Sequence, residues 1–196
     1  MRAAFVTSAV NPQGYPAPDR PEIAFVGRSN VGKSSLLNAI VRQKIARASK
    51  TPGRTQQINF FDVEDREAAF RIADLPGYGF ARVPTEVQQT WPSMIEDYLQ
   101  NRPCLRALLL LVDLRHEAQP ADHEAVAWLR SLRRPIDLFL LGTKADRLAK
   151  AHQKVALIRL SDALGVPRER TGLASAASGV GLDAIRKTLL EIAQVS

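Results

Sequence analysis

The chain has 196 residues, of which 45% are hydrophobic and 24% charged, enough for one well-buried domain and too few for two comfortable ones. Those proportions exclude a disordered tail or a disulfide scaffold, and there is no apolar stretch of about 18 residues to cross a bilayer. The start MRAAFVTSAV has too little charge and too short an apolar core for a secretory signal, so the expectation is a soluble, cytoplasmic protein without membrane contact.

The formal net charge of +7 is unevenly placed. No acidic residue occurs between Glu22 and Asp62, while Arg28, Lys33, Arg42, Lys44, Arg47, Lys50 and Arg54 all do. Such a stretch either suits a polyanion such as nucleic acid or is a basic soluble surface. The single cysteine, Cys104, fits a reducing compartment and an inert core position; His116, His123 and His152 lack metal-ligand spacing.

In chain order, residues 1–21 read as an N-terminal lead-in, with three prolines and a glycine between Asn11 and Arg20. Buried-strand patterns follow at 22–26, 58–63, 68–73, 107–113, 136–142 and 172–174. Helical periodicity occupies 34–42, 91–100, 121–132, 149–164 and 182–193. Runs such as LLLLVD and LFLLGT are what strands covered on both faces look like. The connection 64–67 is long enough only for a hairpin. The pattern predicts an α/β fold: a mostly parallel six-stranded sheet with one antiparallel strand and helices on both faces.

Residues 27–34 read GRSNVGKS, a full G-x-x-x-x-G-K-[ST] phosphate-binding loop between a strand and a helix. Gly27 and Gly32 let the backbone curl so that amides from Arg28, Ser29, Asn30 and Val31 onward face the phosphates, with Ser34 and Ser35 opening the helix. Lys33 can reach the β- and γ-phosphates, and the Ser34 hydroxyl can ligate Mg²⁺. Asp74-Leu75-Pro76-Gly77 is a D-x-x-G element at a strand end: Asp74 would hold the magnesium hydration shell and the Gly77 amide would approach the γ-phosphate. In the connection before the hairpin lies Thr51-Pro52-Gly53-Arg54-Thr55, where a threonine hydroxyl can complete the Mg²⁺ shell. Spacing to the next strand favours Thr55 over Thr51. Lys33, Thr55 and Gly77 are therefore the candidates for acting on the reacting phosphate.

Thr143-Lys144-Ala145-Asp146 fits a base-reading T/N-K-x-D element. An aspartate there accepts from guanine N1–H and the exocyclic amine together, a donor pair adenine does not offer, and the Lys144 stem can lie along the ring. Ser175-Ala176-Ala177, before the last helix, can close over guanine O6 with a backbone amide. GTP and GDP are the expected nucleotides.

GRSNVGKSSLLNAI, TPGRTQQINFF, DLPGYGFARV, LGTKADRL and SAASGVGL together resemble the EngB (YihA/YsxC-type) branch of the bacterial translation-factor-like GTPases. The resemblance runs from about residue 22 to the end of the chain and implies a Ras-like P-loop G domain over 22–196. It further implies Mg²⁺-dependent GTP binding with slow hydrolysis, action in large ribosomal subunit assembly, and a requirement for normal cell division. Ribosomal RNA or a large-subunit precursor is the implied partner, with the protein a monomer. Thr143 stands where most GTPases carry asparagine, which would make affinity modest. Tyr78 stands where Ras-like enzymes place the water-orienting glutamine, and a phenol of ordinary pKa in a mobile loop is a poor substitute. In related GTPases an asparagine at the Asn30 position helps seat K⁺; a purely local backbone-capping role is the alternative.

Two other readings remain open at this level. One is an ATP-using P-loop enzyme, against which Asp146 argues; the other is a basic RNA-binding module with a structural nucleotide site. In the segment 84–102, Trp91, Met94, Ile95, Tyr98 and Leu99 fall at helical spacing and are expected in the core.

Overall fold

A computed structural model describes residues 1–46, 57–78 and 85–194, with the backbone alone over 85–92. The described strands are β1 (Arg2–Ala9), β2 (Glu22–Gly27), β3 (Ile58–Glu64), β4 (Ala69–Asp74), β5 (Leu105–Asp113), β6 (Asp137–Thr143) and β7 (Thr171–Leu173). They form one seven-stranded sheet in the order β1-β3-β4-β2-β5-β6-β7. The described helices are α1 (Lys33–Val41), α2 (Thr85–Asn101), α3 (Pro120–Ser131), α4 (Lys150–Leu164) and α5 (Leu182–Gln194).

The apolar strand runs bury side chains on both faces because successive residues point to opposite sides. Leu108, Leu110 and Val112 of β5 pack in a cluster with Ile95, Tyr98 and Leu99 of α2, Val126 of α3 and Leu160 of α4. Ala107, Leu109 and Leu111 of the same strand pack instead with Leu36, Leu37 and Ile40 of α1 and Leu189 of α5. Two helical layers therefore enclose the sheet.

β2 pairs in parallel with β4 and β5, as do β5 with β6 and β6 with β7. β3 and β4 form the expected hairpin, closed by the Asp65 amide donating to Ala68 O at 2.9 Å. β3 is thus the strand that runs against the others.

The sequence expectation of six strands is corrected to seven, the addition being β1 within the 1–21 stretch, antiparallel to β3. β1 escapes a search for buried apolar runs because it is an edge strand with only one residue, Ala9, fully buried. Its alternation is also broken by a register shift between Phe5 and Thr7. Phe5 nevertheless meets Phe61 of β3 edge-on at 5.7 Å between ring centroids.

Helix α2 starts at Thr85, ahead of the expected 91, because Thr85 and Glu86 make a polar first turn that apolar periodicity passes over. Ile95, Tyr98 and Leu99 are buried and Met94 packs against them, as expected; the Trp91 side chain lies outside the described residues.

At the amino ends of the central strands sits a buried charge cluster that sequence inspection did not find. Glu22, the first residue of β2, accepts from Arg102 Nε at 2.8 Å and from the Tyr98 hydroxyl at 2.9 Å. Arg71 Nη1 lies 3.3 Å from the same carboxylate and its Nε donates to Asp62 at 2.6 Å. The carboxyl ends carry different chemistry.

Candidate functional site

β2 lies between β4 and β5, so the chain departs from β2 at a change of direction in strand order, where a crevice opens beyond the carboxyl ends. Gly27 is the last residue of β2 and Lys33 the first of α1, which places the phosphate loop in that crevice. Gly32 caps the helix at φ +104°, a conformation other residues adopt only with strain, and Asn30 turns the loop at φ +63°. No acidic residue occupies the first turn of α1, so the positive end of the helix is left for an anion.

Lys33 Nζ donates to Asp74 Oδ1 at 2.5 Å, joining the phosphate loop to the end of β4. The D-x-x-G segment lies directly on that loop. A Cβ on Gly77 would stand 2.7 Å from Ser29 Oγ, so a side chain here would drive the two loops apart. Tyr78 N donates to Gly27 O at 3.2 Å, and Ser29 N to Tyr78 O at 3.2 Å. Leu75 is buried core, with its amide on Phe25 O at 3.1 Å. Arg28 and Ser34 are half-buried, Val31 is buried and Ser35 exposed. The Ser29 hydroxyl is buried without a hydrogen-bond partner.

Tyr78 corrects the expectation of an ordinary phenol in a mobile loop. It is 8% exposed, and its hydroxyl donates to Asp122 Oδ1 at 2.9 Å. Burial first, then the charge of Asp122 and the hydrogen bond to it, push the phenol far above its usual range. Asp122 is itself buried at the start of α3, where its other oxygen accepts from Gln119 N at 2.9 Å in a capping box. The sequence signal for Asp122 was available in Gln119-Pro120-Ala121-Asp122 as a helix start; that it would receive Tyr78 was not.

The Thr143-Lys144-Ala145-Asp146 element sits at the end of β6. Thr143 Oγ1 lies 2.8 Å from Val31 O and 3.2 Å from Val112 O, and its one proton serves either carbonyl. The short hydroxyl thus ties this strand end to the phosphate loop. Lys144, at φ +58°, donates from Nζ to Asn30 O and to Asp113 Oδ2, each at 2.9 Å. Burial alone would raise the Asp113 carboxyl, but hydrogen bonds from Arg115 and Lys144 hold it well below the usual carboxylate range. Asp113 was missed as a site residue, although its place at the end of LLLLVD marks a strand end.

Ala145 is buried, with its amide on Ala174 O at 3.1 Å. Asp146 Oδ1 accepts from the Ser175 hydroxyl at 2.5 Å. Ser175 Oγ in turn accepts from the amides of Ala177 at 3.1 Å and Ser178 at 3.0 Å, which folds 175–178, Ala176 included, around the carboxylate. Thr51, Gly53, Arg54 and Thr55 lie outside the described residues. The three histidines are exposed, and the described residues hold no cluster of His, Cys, Asp and Glu fit to bind a metal alone. Cys104 is buried and free, its thiol pushed up to about 11 by burial and then by Glu22, which keeps it inert. No described helix is long and apolar enough to cross a membrane.

Residues 22–144 match the family described as "50S ribosome-binding GTPase". The chain is 46% identical over 200 residues to the probable GTP-binding protein EngB of Anaeromyxobacter sp. (strain K), covering 98% of this chain and 92% of that one. It is 44% identical over 193 residues to the protein of the same name from Desulforamulus reducens, covering 97% and 92%. A crystal structure of a probable GTP-binding protein engB superposes with TM-score 0.68 at 27% identity, covering 88% of this chain and 98% of that one. Likeness of this extent leaves the ATP-using alternative without support: the chain belongs to the EngB family of GTP-binding proteins and is a P-loop GTPase.

Proposed function

We propose that this protein is a GTP-hydrolysing switch of ribosome assembly, whose GTP form docks on ribosomal RNA within a large-subunit precursor and leaves after conversion to GDP and phosphate. The observation that carries this reading is 46% identity to an EngB protein over 98% of the chain, together with a matched family described as ribosome-binding. The exposed Arg42 and Lys44, just past the C-terminal end of α1, are in keeping with a polyanionic partner. A requirement for normal cell division and a cytoplasmic location belong to the same reading.

The phosphate-loop amides and the α1 N-terminus hold the phosphate chain, and Lys33 exchanges Asp74 for phosphate oxygens. Asp146 reads the guanine edge, Lys144 lies along the ring, and the 175–177 backbone closes on O6. The oxygens at this corner fit a hard divalent cation: the half-buried Ser34 hydroxyl and the Asp74 carboxylate, with Thr55 as the third candidate. These residues would hold magnesium, which would supply neutralisation of charge on the phosphate oxygens. With the Tyr78 hydroxyl given to Asp122, the residue after Gly77 orients no water, and unassisted hydrolysis is slow, ~10⁻⁴ to 10⁻³ s⁻¹. Asn30, exposed at the loop apex, is the residue to seat K⁺; turnover on ribosomal particles faster in K⁺ than in Na⁺ is the expected result, and equal rates exclude it.

Co-sedimentation with separated ribosomal subunits tests the whole. The protein should pellet with large-subunit particles in the presence of a non-hydrolysable GTP analogue and remain in the supernatant with GDP. Pelleting that ignores the nucleotide overturns the switch. A Lys33→Ala variant that loses nucleotide yet keeps the cellular role would instead establish an RNA-binding module with a structural site.

A further inference from the structure

Resting on the reading of this edge as the GTP site, we propose that Tyr78 and Asp122 form a strut that holds the D-x-x-G loop zipped onto the phosphate loop and so biases the protein toward GDP. The zip consists of the two backbone bonds between Tyr78 and the Gly27–Ser29 stretch, each 3.2 Å long, with Gly77 packed against Ser29. It engages the Ser29 amide with Tyr78 O, and so withdraws a backbone donor from the corner where a terminal phosphate must be held. The strut pins the zip from behind. Tyr78 follows Gly77 directly, lies in one apolar cluster with Val26, Leu75, Leu99 and Leu129, against which Trp128 packs, and its hydroxyl ends on Asp122.

Asp122 is a rigid abutment. It is 1% exposed and has both oxygens engaged, one by Tyr78 and one by the backbone that opens α3. Lifting Gly77 from Ser29 moves Tyr78, and moving Tyr78 strands a buried carboxylate oxygen without its donor, a costly state. Any ligand that needs the loops apart must work against that bond. A diphosphate, which does not reach Gly77, need not.

The test is calorimetric affinity of the full chain for GDP and for a non-hydrolysable GTP analogue. Tyr78→Phe removes only the hydroxyl. The ratio Kd(analogue)/Kd(GDP) should fall about 10-fold, the order expected for one hydrogen bond to a buried charge. Asp122→Asn, which keeps one acceptor oxygen for two donors, should move the ratio the same way. The double variant should shift it no further than Tyr78→Phe alone, because both changes break one contact. An unmoved ratio, an equal loss for both nucleotides, or additive shifts overturn the strut. Should the unmodified protein bind neither nucleotide, the reading of the GTP site fails as well; if it binds both and the ratio stays put, only the strut fails.

Discussion

The Ser175 hydroxyl stands 2.5 Å from Asp146 Oδ1 while its oxygen accepts the amides of Ala177 and Ser178. One fully buried serine therefore orients the carboxylate proposed to read the base and shapes the loop proposed to close over it. Ser175→Ala removes all three bonds and leaves Asp146 held only by its ion pair with the exposed Arg147. GDP affinity should drop about 10-fold, in line with a hydrogen bond to a charged group plus loss of loop order. Calorimetric titration with GDP checks it; an unchanged Kd would mean Asp146 is held by something else.

Asp146→Asn should exchange guanine for xanthine. The carboxylate matches two donors on guanine, whereas an amide presents one donor and one acceptor, the complement of the xanthine edge. A doubly bonded edge is worth roughly 1–3 kcal/mol, so GDP should lose about 10- to 100-fold and XDP should gain comparably. Retained GDP preference would relocate the base pocket.

The loops that meet at the sheet edge are the part of the site most legible in the chain, because their chemistry is carried by backbone turns whose residue types cannot vary freely. Gly32 and Lys33 could be placed from spacing alone, as could Asp74 at a strand end. The pairing of strands 58–63 and 68–73 followed from a connection too short for a crossover. Contacts across long separations were not legible. β1 joins β3 through pairs such as Arg2 with Glu64, and a half-exposed strand interrupted at Val6 offers no buried run to detect. Tyr78 meets Asp122 across 44 positions. Nothing local distinguishes a buried, hydrogen-bonded phenol from a free one. The same holds for Glu22, which reads as a polar residue opening a strand until Arg71 and Arg102 are folded around it.

Asp113 should make stability depend on acid. Its folded-state pKa lies below the unfolded value of about 3.9, so its contribution is fully present above that pH and is lost as pH falls toward the folded value. Asp113→Asn removes the linkage, and Lys144 Nζ keeps Asn30 O as its acceptor. The difference in thermal midpoint between the two proteins should be constant from about pH 7 to 5 and shrink below about pH 4. Melting curves across that range measure it. A gap that widens in acid would contradict the sign.

The cluster at the other end of the sheet should govern stability and leave the nucleotide alone. Glu22 is 0% exposed and faces Arg102 and Arg71, themselves 7% and 3% exposed. Glu22→Gln keeps the volume and removes the charge. Arg71 retains Asp62 and Asp19, whereas Arg102 keeps only neutral acceptors, the Pro16 carbonyl and the introduced amide oxygen, so the uncompensated charge falls on Arg102. Breaking a buried pair from one side costs about 3–5 kcal/mol, which urea unfolding would register as a lower midpoint at constant slope. Replacing both partners, Glu22→Leu with Arg102→Met, should recover much of the loss because no buried charge is then stranded between them. Glu22 opens β2 and Gly27 closes it, a separation of ~17 Å along the strand, so GDP affinity of the folded single variant should stay within about twofold. A large change in affinity without a change in unfolding midpoint would show that the two ends of β2 are coupled and that the cluster serves the site rather than the fold.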